Sequence, residues 1–290
     1  MMSTVRPRRS VLYMPGANAR ALDKARSLPA DGLILDLEDA VSPDSKDLAR
    51  TQIAEALKTG GYGFREVVVR TNGLETPWGL DDIKVLAPLG PDAILLPKVE
   101  DAATILKAEA LLNEAGAPAT TTIWAMMETP LGILRAAEIA AASKRLTCFV
   151  MGTSDLTKDL HSRHTPLRLP MLTSLGITML AARAYGLSIL DGVYLDLKDE
   201  EGYRASCLQG VELGFDGKTL IHPNQVEGAN EVFAPSEAEI AWSRKIIDAF
   251  AAAEAEGKGV VLVDGKLIEN LHVDNAKRIV ALADAIAARG

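Results

Sequence analysis

The chain alternates between short runs that are almost wholly apolar and longer stretches whose apolar residues recur at helical spacing. Residues 10–15, 32–37, 66–70, 93–97, 121–127, 146–151, 187–193 and 214–221 make up the short runs, and each reads as a β-strand. The stretches between them read as helices; in 101–115, Ile105, Leu106, Leu111 and Leu112 supply the apolar positions. Strands apolar on both faces belong to a parallel sheet covered from both sides. Eight strand-then-helix units predict an α/β protein built as a (β/α)8 TIM barrel, a fold of roughly 250 residues. A doubly wound open sheet shows the same alternation and is the alternative, since counting strands does not establish closure.

Beyond residue 221 the rhythm changes. Pro235-Ser236 leads into a predicted helix over 236–256, with Ser236 as its cap and Glu237 and Glu239 in its first turn. Gly257 and Gly259 end that helix, and 260–263 followed by Asp264-Gly265 reads as a short strand and a tight turn. An alanine-rich helix then covers 270–288. An eight-unit barrel has no place for this tail. The expected division is a barrel over 1–231 carrying the active site, and a C-terminal helical extension over 232–290 serving as a lid or oligomerisation subdomain.

Composition narrows the partners. Against 31 Lys and Arg stand 39 Asp and Glu in 290 residues, a net charge of −8. Such a surface repels nucleic acid and anionic lipid at long range, while leaving room for an anionic ligand in a locally basic pocket. No apolar run approaches the roughly 20 residues a membrane helix needs. The basic opening, MMSTVRPRRS, has no apolar segment behind it and does not read as a secretory signal, so the expected address is the cytoplasm. Two cysteines are too few for a disulfide framework, and Cys148 reads as an inert core thiol.

In a barrel the chemistry sits where strands finish. Standing there are Pro15-Gly16, then Asp36, Glu38 and Asp39, then Arg70 and Asn72, then Lys98 and Glu100. The second half adds Glu128, then Ser154 and Asp155, then Asp191 and Tyr194, then His222. Each has a plain structural use as well. Thr129 and Pro130 make a helix start beside Glu128, and Asp155 suits an N-cap. Glu38 and Asp39 suit a cap for the helix after Pro43, with Arg70 as their ion-pair partner. Lys98 reads as a donor to neighbouring groups rather than a reactive amine. His161 and His164 lack metal-binding spacing, Met126 and Met127 read as core, and His272 marks a helix start.

Together these residues make a narrower statement. Glu128 and Asp155, two carboxylates from separate strands, suit a hard cation such as Mg2+, which completes its shell with water and substrate oxygens. Asp36, Glu38 and Asp39 are placed to hold the metal's waters. Arg70 is placed to fork onto a substrate carboxylate or to stabilise an oxyanion. The chemistry so far is Mg2+-dependent work on an oxygenated organic acid.

The motifs RSVLYMPG (9–16), LDLEDAV (35–41), VRTN (69–72), PKVE (97–100), ETP (128–130), GTSDL (152–156), DGVY (191–194) and LGFDGKTLIHPNQ (213–225) run in order across nearly the whole chain. They resemble the HpcH/HpaI aldolase and citrate lyase β-subunit superfamily, in its CoA-ester lyase branch of malyl-CoA and citramalyl-CoA lyases and malyl-CoA thioesterases. The resemblance implies Mg2+ on Glu128 and Asp155, with Arg70, Glu128 and Ser154 toward the substrate and Asp36, Glu38, Asp39 and Lys98 around them. It implies CoA near the N-terminal segment, at Tyr13 and Lys24, with Ile221 and His222 nearby and Arg20 adding positive charge. It also implies a homotrimer or hexamer whose C-terminal segment covers a neighbour's active site. One departure stands in the tail, where DGKLIEN carries Glu269 at a position held by aspartate in many relatives. The added methylene displaces a catalytic oxygen by about 1 Å. Another is Gly210-Val211 before Glu212, where relatives often carry a basic residue.

The reaction so implied is a retro-Claisen cleavage of a 3-hydroxyacyl-CoA, with malyl, methylmalyl or citramalyl as the acyl group. A base, with Asp39 and Glu269 as candidates, takes the hydroxyl proton. The C–C bond breaks, a 2-oxo acid leaves, and Arg70 stabilises the enolate of acetyl-CoA or propionyl-CoA. The alternative is hydrolysis of the thioester to malate and CoA on the same metal site. Two further possibilities are a Schiff-base aldolase using Lys98 or Lys218, and a non-catalytic CoA-ester-binding protein.

Overall fold

The computed structural model describes residues 5–289. The opening MMST of the basic N-terminal stretch, and Gly290 at the end of the tail, lie outside the described residues. Eight strands, β1 (Ser10–Pro15), β2 (Gly32–Asp36), β3 (Glu66–Arg70), β4 (Ala93–Leu96), β5 (Thr122–Met127), β6 (Leu146–Met151), β7 (Ser188–Asp191) and β8 (Gly217–Leu220), close into a barrel in chain order. Each pairs parallel with the next, and β8 pairs back onto β1. The open-sheet alternative is therefore excluded.

The apolar runs form strands here because they are buried on both sides. Val11, Ile34, Val68, Ala93, Leu95, Trp124, Met126, Cys148, Val150 and Leu190 make one packed cluster, with the Tyr13 ring against it. Burial pushes the Cys148 thiol well above its ordinary range, so it is inert. Trp124 is fully buried, with the Arg8 guanidinium 5.1 Å from its ring centre. Closure of the barrel depends on Gly217: a Cβ there would run into the Arg8 carbonyl, so only glycine lets β8 approach the lead into β1.

Strands β7 and β8 are shorter than their apolar runs. Asp191 and Lys218 are register partners across the two; Leu190 fills the barrel interior, so Asp191, next along the strand, faces the surrounding helices, where Lys218 joins it. Lys218 Nζ meets Asp191 Oδ2 at 2.9 Å and Ser206 Oγ at 3.1 Å, and Arg168 Nη1 meets both Asp191 oxygens at 2.7 and 2.8 Å. Lys218 and Arg168 outweigh burial and hold Asp191 below the usual carboxylate range. Arg168, in the left-handed region at φ 51°, ties the segment between β6 and the helix Leu172–Ala184 to the end of β7.

Contacts group Arg8–Glu231 into one compact unit, and residues 5–7 with 232–289 into another. In the second, the helix Glu237–Ala255 starts with Ser236 and Glu239 capping one another. The strands β9 (Val261–Val263) and β10 (Lys266–Ile268) form a hairpin, and its turn uses positive φ at Asp264 and Gly265. The helix Asn270–Ala287 completes this unit. Its core is Ile246, Phe250, Val263, Ile268, Val273 and Ala276, with Trp242 packed on it and Lys266 Nζ 5.2 Å from the Trp242 ring. Among the described residues no helix is long and apolar enough to cross a membrane.

Candidate active site at the strand ends

Arg70 ends β3 and is the register partner of Asp36, which ends β2. Two strand-end groups side by side in a parallel sheet meet directly: Arg70 Nε lies 2.6 Å from Asp36 Oδ1, and Nη2 lies 2.7 Å from Oδ2. Asp36 also accepts from the main-chain N–H groups of Glu38 and Ala40, at 2.9 and 3.1 Å. Arg70 Nε and Nη2 are thus both engaged by Asp36, which is fully buried. What Arg70 presents to the site is Nη1, at 2.8 Å from Glu38 and 3.6 Å from Asp39. The Asp39 side chain is 62% exposed.

Tyr13 is placed by the parity of β1. Strand side chains alternate between faces, and β1 sends Val11 and Tyr13 to the same interior cluster. The Tyr13 ring lies 4.8 Å from the Arg70 guanidinium and its hydroxyl donates to Met126 Sδ at 3.5 Å. It floors the site, whereas Lys24 is exposed at the end of the helix Ala19–Lys24.

Glu128 follows β5 and is 2% exposed. The helix start beside it is real, since Thr129 caps Gly132 N at 3.1 Å and Pro130 takes the first helical position. Lys98 N donates to Glu128 Oε1 at 2.8 Å. Burial nevertheless pushes the carboxyl up to about 7, with Glu38 adding repulsion and the Lys98 N–H, Arg70 and Lys98 opposing. At Gly152 an added Cβ would collide with Glu128 Cβ and Oε2, which puts this carboxylate against the head of the helix Thr153–Asp159. Gly152 is that helix's N-cap, so Asp155 is not; it sits in the first turn, 26% exposed, with Lys158 Nζ at 3.3 Å. Ser154 is exposed beside it.

The donors fit a hard cation. The buried Glu128, near its point of neutralisation, gains from a cation, and every protein donor beside it is oxygen. Among the described residues no group of three or more His, Cys, Asp or Glu is set to hold a metal. Two carboxylates that leave the remaining positions to water and substrate are a donor set Mg2+ accepts. Gly152→Ala tests the crowding: it is expected to weaken Mg2+ binding about tenfold or more in calorimetry while leaving the far-ultraviolet dichroism unchanged.

Lys98, two residues beyond β4, lies in the left-handed region at φ 49°, and its Nζ meets Glu38 Oε1 at 2.5 Å. Burial works against its charge, but Glu38 outweighs that and raises the ammonium to about 12. Glu38 itself is raised, by burial above all, against the pull of Arg70 and Lys98. Neither lysine considered for a Schiff base is a free amine, Lys98 being fully protonated and Lys218 fully buried in its ion pair.

Ile221 and His222 follow β8. Gln225 orders them, accepting from Ile221 N at 3.0 Å and donating to Tyr194 O at 2.9 Å, while His222 Nδ1 accepts from Asn224 N at 3.2 Å. Glu269 belongs to the other unit. It is exposed at the N-cap of Asn270–Ala287, and its N–H donates to His272 Nδ1 at 3.0 Å.

Sequence reasoning passed over Lys46 and Trp78. Lys46 opens the helix Lys46–Thr59, where a cation is unfavourable; that anomaly was the available signal. Its buried Nζ donates to Leu37 O and Glu38 O at 2.7 and 2.8 Å, which fixes the turn carrying Glu38 and Asp39. Trp78 lies beneath it, 5.4 Å from ring centre to Nζ. Both line a cavity of about 440 Å³ shared with Glu38, Asp39, Asn72 and Lys98.

Comparison with known proteins places the chain among relatives along its whole length. Residues 9–223 match the family model HpcH/HpaI aldolase/citrate lyase. A (3S)-malyl-CoA thioesterase of Cereibacter sphaeroides is 52% identical over 290 residues, covering 100% of this chain and 99% of its own length. The citrate lyase subunit beta of Escherichia coli K12 is 36% identical over 284 residues, covering 96% of this chain and 94% of its own. Among solved structures, CitE of Mycobacterium tuberculosis in complex with magnesium, acetoacetate and coenzyme A superposes with a TM-score of 0.76. It is 28% identical, and the match covers 96% of this chain and 98% of that one.

Proposed function

The chain belongs to the HpcH/HpaI aldolase/citrate lyase family, and from that premise we propose that it is a Mg2+-dependent enzyme acting on a 3-hydroxyacyl-CoA of the malyl-CoA type. The observation that carries this is the buried Glu128 carboxylate, raised to about 7 and set against the helix start that bears Asp155. Hydrolysis to malate and CoA is favoured by the thioesterase relative at 52% identity. Cleavage of the C–C bond to a 2-oxo acid and acetyl-CoA or propionyl-CoA is the second reading, favoured by the relationship to citrate lyase β subunits.

Glu128 and Asp155 hold the metal, which when bound supplies Lewis acidity to a substrate oxygen. Arg70, locked by Asp36, turns Nη1 toward a developing oxyanion without needing to reorganise. Asp39 is the more accessible of the carboxylates on that edge and is placed to accept a proton. Tyr13 closes the floor against water. Lys24, Ile221 and His222 hold CoA, Ser154 donates to substrate, and Glu269 acts as acid or base from a neighbouring subunit's tail.

This makes the protein a cytoplasmic homotrimer or hexamer, with a barrel over 1–231 and a lid subdomain over 232–290. Leu262 and Leu267, cross-strand partners that are both exposed, and exposed Leu271 support an apolar contact for that tail. The net charge of −8 supports partners other than nucleic acid or membrane.

Mass spectrometry after incubation with Mg2+ and malyl-CoA is the direct test. Malate with free CoA is expected; glyoxylate with acetyl-CoA would move the assignment to the lyase. EDTA is expected to abolish turnover, and borohydride with substrate to leave no adduct on Lys98 or Lys218. A trapped lysine and EDTA-resistant turnover would remove the metal reading altogether.

A further inference from the structure

Lys98 occupies a backbone conformation that glycine adopts freely and a lysine rarely does, at φ 49°. A side chain kept at such a place has a use, since strain of this kind persists only where the surroundings impose it. Two contacts leave this one residue in different directions. Its main-chain N–H donates to Glu128 Oε1 at 2.8 Å. Its side chain is 41% exposed and lines the cavity; its ammonium meets Glu38 Oε1 at 2.5 Å, and Glu38 Oε2 in turn meets Arg70 Nη1 at 2.8 Å.

We propose that Lys98 is a positioning residue with two separable duties: its left-handed main chain aims Glu128, and its ammonium holds Glu38 at the edge of Arg70. The first duty occupies Glu128 Oε1, so that Oε2, pressed against Gly152, is the atom left for a cation. That duty needs the N–H and the turn but no side chain. The second keeps Glu38 between two cations, which fixes how Arg70 Nη1 is shared between Glu38 and the substrate. That duty needs the ammonium and is indifferent to the metal. The inference rests on the proposed metal role of Glu128, and the test separates the two.

Lys98→Gly, Lys98→Arg and Glu128→Gln are to be compared with the parent for melting temperature, Mg2+ affinity by calorimetry, and kcat and KM on malyl-CoA. Glycine keeps the N–H and relieves the strain, so Lys98→Gly is expected to melt no lower than the parent and to bind Mg2+ indistinguishably from it. Its kcat is expected to fall about tenfold or more, with KM changing less, and Lys98→Arg to recover most of the loss. Loss of Mg2+ affinity in Lys98→Gly matching that of Glu128→Gln overturns the division of duties. So does an unchanged kcat, and so does a rise in KM alone, which would make the ammonium a substrate contact. If Glu128→Gln keeps its Mg2+ affinity, the metal assignment falls, while the hold on Glu38 is still judged by kcat and its rescue by arginine.

Discussion

Glu128→Gln is expected to lose the Mg2+ response and about a thousandfold or more in kcat/KM, while making the metal-free protein more stable above pH 7. Glutamine keeps the shape and still accepts from Lys98 N, so the change removes the charge and little else. The carboxyl is raised from 4.5 to about 7 in the fold, mainly by burial. Between those values the folded protein binds more protons than the unfolded chain. The stability this residue contributes is therefore complete below pH 4.5 and is lost as pH rises through 7, a difference of about 3 kcal/mol. Urea unfolding in EDTA at pH 4.5 and pH 8 checks it: the variant gains on the parent by about that amount across the interval. Parallel curves would remove the buried-carboxylate account, and a retained Mg2+ response would remove Glu128 as a ligand.

Arg70→Met is expected to destabilise the barrel by about 3–5 kcal/mol at neutral pH, because it leaves Asp36 buried without its counter-charge. Activity is expected to fall about a hundredfold or more with it. Arg70→Lys retains a charge but not the two-pronged geometry, so it is expected to recover part of the stability and little of the activity. Replacing both partners, as in Arg70→Met with Asp36→Leu, removes the unpaired charge as well. It is expected to restore much of the denaturation midpoint while the enzyme stays inactive. A single Arg70→Met that unfolds like the parent would show the pair to be dispensable for the fold.

Both expectations turn on contacts that local sequence does not display. The eight strands were legible because burial on both faces leaves nearly continuous apolar runs, and the tail was legible through its cap, its Asp264-Gly265 turn and its alanine-rich helix. The gathering of charged groups at strand ends was legible for the same reason. How those groups pair was not. Asp36 and Arg70 are separated by 34 residues and meet only because β2 and β3 align in that register. Asp191 and Lys218, 27 residues apart, meet by the register of β7 and β8. Register is a property of neighbouring strands and their twist, so the buried cation that each of these strand-end aspartates meets is not marked in its own motif. The face of β1 that carries Tyr13 likewise follows from the parity of the strand, which its motif does not mark.

The three tryptophans fall in three different surroundings. Trp124 is sealed inside the barrel, Trp78 borders the cavity beneath Lys46, and Trp242 packs on the core of the tail. Indole emission moves to longer wavelength on contact with water, so each ring is a separate optical probe. Chains retaining one tryptophan apiece let fluorescence follow the barrel interior, the mouth and the tail independently. The emission of Trp78 reports filling of the cavity during turnover, and that of Trp242 reports melting of the tail with the barrel intact.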